Sequence, residues 1–261
     1  METLVLSISE IEHWIDDWFM VFVRIGALFS IAPFIGSRLI PVRVRVVAAL
    51  LISMIVFPMT PAPPAYELFS FTGVALLTQQ VLVGLAMGFV LQLVFNATTI
   101  AGEVIAMTMG LGFAQMVDPQ NGVQVPVVSQ LFVITATLLF LALDGHITLL
   151  SIINESFYTL PVASWNFDRD FSWTVLVWAG NMFSGAVLIA VPIVTGLLIA
   201  NFTMGVIARS APQLNIFAVG FPATMTIGFV LILLAIPAFL PTFESLLQPG
   251  YDLMRVLTGA T

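Results

Sequence analysis

Two uncharged apolar runs of 38 and 34 residues, Phe171 to Ala208 and Ser210 to Phe243, meet at a single arginine, Arg209. A straight helix of the longer length reaches about 57 Å at its fixed rise per residue. That is nearly twice a hydrocarbon core of roughly 30 Å. Either these runs break, with Gly180, Gly185 and Pro192 as the available breakers, or they continue past the bilayer within a sheath of protein. The remaining runs are as uneven. Leu68 to Gly102 is uncharged for 35 residues and Pro119 to Leu143 for 25. Val46 to Phe57 has only 12, and Trp18 to Ile35 is long enough to span but carries Arg24. Hydrophobic residues make up 60% of the chain and charged residues 8%, with a mean hydropathy of +1.10. A soluble domain carries about 25% charged residues. The expectation is an all-α integral membrane protein with nominally six hydrophobic spans, in long, broken helical hairpins rather than a bundle of equal helices.

Charge placement sets an orientation. Arg38, Arg43 and Arg45 follow the first run and Arg209 separates the last two, while acids such as Glu10, Asp16, Asp17, Glu67, Asp144, Glu155 and Glu244 gather at the opposite ends. Arginine-bearing short loops face the cytoplasm, so six crossings leave both termini outside. The acidic N-terminus, with no basic region ahead of an apolar core, does not read as a cleavable signal peptide. A net charge of −7 argues against a nucleic-acid partner. With no cysteine there are no disulfides, thiolate metal sites or cysteine nucleophiles. No GxSxG, P-loop, HExxH or dinucleotide fingerprint is present. Asp144 and His146 in DGH read as a helix start rather than as catalytic groups. The chain is therefore read as non-enzymatic and free of cofactors and metals.

The segment Ala101 to Pro126, AGEVIAMTMGLGFAQMVDPQNGVQVP, interrupts two strongly apolar stretches. Glu103 sits among apolar residues; Gly110 and Gly112 follow, and Asp118-Pro119 and Asn121-Gly122 punctuate the chain like turns. Irregular backbone at membrane depth survives only where protein buries it or water lines it. Two readings stand: a loop hanging inside a pore, or an ordinary connection in the aqueous phase. Met107, Met109 and Met116 supply flexible, polarizable bulk that serves either as core filler or as a deformable seal. Asp118 reads first as a turn former and second as part of a gate.

Arg24 can be priced. The ten Leu, Ile, Val and Phe residues between Trp18 and Ile35 contribute about −3 to −6 kcal/mol to insertion, against about +2.5 to +3.5 kcal/mol for a central arginine. Arg24 therefore faces protein or water, with Glu103 as its expected opposite charge. A structural ion pair or a snorkelling arginine is the plainer alternative to transport chemistry. Gly84 and Gly88, in GLAMG, form a small-xxx-small face open to close helix approach.

Five blocks then carry a family resemblance: IAPFIGSRLIPVRVR at Ile31 to Arg45, TQQVLVGLAMGF at Thr78 to Phe89, AGEVIAMTMGLGFAQMVDP at Ala101 to Pro119, DGH at Asp144 to His146, and ARSAPQLNIFAVGFPATMTIG at Ala208 to Gly228. In this order and spacing the chain resembles the FliR family of the flagellar type III export gate, and more distantly its counterpart in virulence injectisomes. The resemblance runs along essentially the whole chain.

That resemblance implies a structural and gating subunit, one copy of which closes a helical ring of FliP and FliQ with FlhB beside it. It implies a bacterial inner-membrane location in the flagellar basal body, with part of the assembly reaching the periplasmic side and unfolded export substrates passing through. Residues 1–170 would be the FliP-like part and 171–261 the FliQ-like hairpin and tail. The family's plug loop maps onto 110–126, which brings in Phe113, Pro119 and Gly122 beside the residues already named. The cytoplasmic tip maps onto Arg209, Pro212 and Gln213. Helices stacked in a cone beyond the bilayer plane would explain runs too short and too long for lipid. A secondary transporter or ion-channel subunit remains the alternative, although such proteins usually carry an internal repeat, and none is visible here; a membrane enzyme subunit would need a catalytic ligand set.

Overall fold

The computed structural model describes residues 8–36, 40–62, 66–111, 127–162, 169–210 and 216–259 of the 261. Helix α1 spans Ile8–Ile31 and α2 Val42–Val56, with a 3₁₀ turn at Phe57–Met59. Helices α3 (Phe71–Thr108), α4 (Val127–Ala142) and α5 (Gly145–Thr159) follow. The chain continues through α6 (Arg169–Trp178), α7 (Gly180–Ser210) and α8 (Ile216–Leu257). All regular elements among the described residues are helical.

Among the described residues, four stretches are long and apolar enough to cross a membrane: Val42–Met59, Phe71–Thr108, Ser172–Ser210 and Val219–Leu257. Counting the broken pair α4 and α5 as one raises the number to five. Helix α1 carries Glu12, Asp16, Asp17 and Arg24 and is less apolar than these stretches. The 12-residue run at Val46 grew into an 18-residue helical stretch, because helix formation tolerates Arg43 and Arg45 where a hydropathy count stops. The long run from Phe171 breaks at Ala179, before Gly180, and α7 then continues through both Gly185 and Pro192. DGH does begin a helix, yet the Asp144 side chain makes no capping bond. Asp144 instead takes a left-handed conformation, φ +54 and ψ +27, which aspartate tolerates better than most residues.

The contacts gather into two compact units. The first draws on Met1–Gln92, Asp144–Val177 and Pro249–Thr261. In it, α1 buries Met20, Val21, Arg24, Ile25, Leu28 and Phe29, a stripe at the helical period. Gly84 and Gly88 of α3 lie against α1: a Cβ at Gly84 would stand 2.8 Å from Ala27 Cβ, and one at Gly88 2.9 Å from the Leu28 carbonyl oxygen. Trp18 donates its indole N–H to Ser53 Oγ at 3.1 Å, tying α1 to α2. From α8, the Tyr251 hydroxyl donates to the Gly145 carbonyl at 3.2 Å. Arg255 pairs with Glu155 at 3.6 Å, but both side chains are partly exposed and the pair contributes little.

The second unit draws on Leu93–Leu143 and Trp178–Gln248. Its core is an aromatic ladder: Phe95 meets Phe140 and Phe243 edge-on at 5.7 Å, and Phe132 meets Phe239 at 5.3 Å. Gly102 is pressed against the Ser129 backbone, so α3 and α4 cross at main-chain distance. Along the α7–α8 hairpin, Gly185 makes room for Leu246 and Gly196 for Leu231, each at 2.7 Å from where a Cβ would stand. Those notches explain why the two glycines sit inside a helix without ending it.

Candidate functional site

The buried charge of the first unit is Arg24, 0% exposed. Its Nε donates to Gln80 Oε1 at 2.7 Å. Nη1 donates to the Ser156 carbonyl at 2.9 Å and to Ser156 Oγ at 3.0 Å, and Nη2 to the Leu160 carbonyl at 3.0 Å. The guanidinium carbon lies 4.2 Å from the centre of the Phe157 ring. Ser156 and Leu160 belong to the last turn and C-cap of α5, where the dipole is negative; the Ser156 carbonyl also accepts the Leu160 N–H at 3.0 Å, and the Leu160 carbonyl is one that the helix leaves without an intrahelical donor. Arg24 is thus a helix cap delivered from another helix, and neither snorkels nor pairs with an acid. Glu103, the partner expected for it, is not among its bonds; that carboxylate is half-buried in the second unit and makes no ion pair among the described residues. The guanidinium found neutral oxygens because a helix terminus offers two carbonyls in the fork geometry it needs.

The second site is the end of α3. Leu111 N–H donates to the Ala106 carbonyl and Gly110 N–H to the Met107 carbonyl, both at 3.0 Å. With Gly110 at φ +86, this is the paired bonding by which helices stop on a left-handed glycine. Met107 is 66% exposed, whereas Met109 is 0% exposed and packs against Gly228 of α8. Asn201 of α7 donates to the Thr108 carbonyl at 3.3 Å. Gly112, Phe113, Met116, Asp118, Pro119 and Gly122 lie outside the described residues, as do Pro212 and Gln213. Arg209 is exposed in the last turn of α7.

Several residues at these two places were missed by reading the sequence. Gln80 and Asn201 are among the few amides in uncharged runs of 35 and 38 residues, and that was the available signal. Ser156, Phe157 and Gly228 carried none, because nothing local marks a residue that serves a distant helix.

Comparison with known proteins gives a consistent result. The family model described as bacterial export proteins, family 1, matches residues 15–249. The chain is 41% identical over 243 residues to the flagellar biosynthetic protein FliR of Pectobacterium carotovorum subsp. carotovorum, covering 93% of this chain and 92% of that one. It is 36% identical over 242 residues to FliR of Escherichia coli (strain K12), covering 92% of each. FliR of Bacillus subtilis (strain 168) is 31% identical over 241 residues, covering 91% and 93%.

Proposed function

The chain belongs to the bacterial export proteins, family 1, and from that membership we propose that it is a structural and gating subunit of the flagellar type III protein export channel. In this reading one copy closes a ring of FliP and FliQ beside FlhB in the inner membrane, with a FliP-like part over 1–170 and a FliQ-like hairpin over 171–261. Residues 110–126 occupy the pore that unfolded substrates cross. The reading requires no catalytic group and no cofactor.

Helix length is the observation that carries the proposal. Apolar stretches of 38, 39 and 39 residues reach about 57 Å or more as helix, against roughly 30 Å of hydrocarbon. Within the chain, only 50%, 33% and 22% of their most apolar windows are buried. Apolar surface beyond the lipid would face water unless other subunits cover it. A chain built this way needs protein neighbours. Affinity purification of a tagged chain from its own host is expected to bring FliP and FliQ with it. A stable monomer of full native helicity, free of both, overturns the assembly reading; ion flux through that purified monomer would instead favour a transporter.

The hairpin tip supplies a second expected outcome. Arg209 and Ser210 end α7 on an exposed turn, and the arginine rule puts that turn in the cytoplasm, where FlhB-like partners meet it. In this cysteine-free chain, Ser210→Cys is expected to resist a membrane-impermeant thiol reagent in intact cells and to react in inverted vesicles. Labelling of intact cells would reverse the orientation.

A further inference from the structure

Three consecutive residues at the end of α3 each meet a different residue of the α7–α8 hairpin. Thr108 gives its carbonyl to the Asn201 side chain. The Met109 side chain fills the space left by Gly228, where an added Cβ would stand 2.7 Å from Met109 Cγ and Cε. Gly110 faces Phe221, whose ring would lie 3.2 Å from a Cβ placed there. The Thr108 carbonyl is one of those a helix leaves unpaired in its final turn, and the amide that satisfies it reaches out from the middle of an apolar helix.

The means of attachment are soft. One side chain with freely turning bonds, one glycine notch and one long bond between neutral groups hold the terminus; no ion pair joins it among the described residues. Left-handed Gly110 lets the chain change direction immediately beyond the seat. We propose that this seat is a latch: the hairpin holds the α3 terminus while the channel is closed, and Met109 withdraws from the Gly228 notch when a polypeptide passes. The inference rests on the gating function proposed above and assigns its control to Asn201, Phe221 and Gly228.

The pair Met109→Cys and Gly228→Cys tests it in the assembled complex. The absence of native cysteine keeps the chemistry specific, and replacing methionine frees the room that a side chain at 228 needs. Cβ atoms spaced for a disulfide sit about 3.5 to 4.5 Å apart, a separation consistent with the Met109 Cγ position. An oxidant is expected to close the bond and abolish export, and a reductant to restore it, while the cysteine-free parent exports under both conditions. Closure with undiminished export overturns the latch and leaves the gating function standing, since that is tested separately by shortening 110–126. Failure of the bond to close in an assembled complex overturns the seat itself. Asn201→Leu keeps the volume and removes the bond to Thr108; it is expected to raise small-solute leak several-fold with FliP and FliQ still bound. An unchanged leak overturns the latch, and this variant decides the matter if the double variant does not assemble.

Discussion

Replacing Arg24 with methionine is expected to remove the chain from the membrane fraction. The substitution keeps an unbranched stem of similar bulk and deletes every donor. Gln80 Oε1 and the Leu160 carbonyl then lose the donor that reaches them, while the Ser156 carbonyl keeps the Leu160 N–H. Each buried acceptor left unsatisfied costs about 1 to 3 kcal/mol, so two cost about 2 to 6 kcal/mol, a large share of the roughly 5 to 15 kcal/mol by which a domain is stable. Loss of the Phe157 contact adds to this. Arg24→Lys keeps the charge over the ring but lacks the planar fork, and is expected to accumulate partially. Quantifying the chain in membranes, and its resistance to heating in mild detergent, distinguishes the variants. Glu103→Gln is expected to behave as wild type, because the guanidinium is already engaged elsewhere. If Glu103→Gln is lost as severely as Arg24→Met, the two charges are coupled after all; if Arg24→Met accumulates normally, the capping role is wrong.

Shortening 110–126 by several residues is expected to leave the complex assembled and leaky to small solutes. Assembly depends on the helices outside this stretch, whereas the proposed closure of the pore depends on the stretch itself. Bulky substitution at Gly110 is expected to act differently, by impairing export. A side chain there meets the Phe221 ring and is forced into a backbone conformation at φ +86, which costs about 1 to 2 kcal/mol for a residue other than glycine. The last turn of α3 must then rearrange and misdirect the chain that leaves it. A permeability assay with a small dye, run beside a measure of secreted flagellar protein, separates the two effects. A shortened variant that assembles, exports normally and shows no leak would reduce 110–126 to a connector.

Class, helicity and a large part of the element order were legible from the sequence because they follow from local composition. Runs without charge become helices, although α7 and α8 pass through prolines and glycines that a sequence reading offers as breaks. Even the cap at Gly110 was within reach, since glycine after a long apolar helix is a common stop signal. Lengths were less legible. Hydropathy stops at a charge, but α2 takes in Arg43 and Arg45 because arginine is a good helix former.

Tertiary structure decided what meets what. Arg24 was visible as a charge in an apolar run, and electrostatics alone suggested an acid for it. Only the fold brings the end of α5 to its side, and a helix terminus supplies the negative potential that a sequence shows only as neutral residues. Met109 and Met107 read alike in sequence, two residues apart on one helix end, yet one is sealed against Gly228 and the other exposed. The 3.6-residue turn puts them on different faces, and the partner for Met109 comes from a residue more than a hundred positions away. The sequence by itself determined the solvent this chain is built for and the elements it forms; packing between distant helices determined which of its few polar groups hold them together.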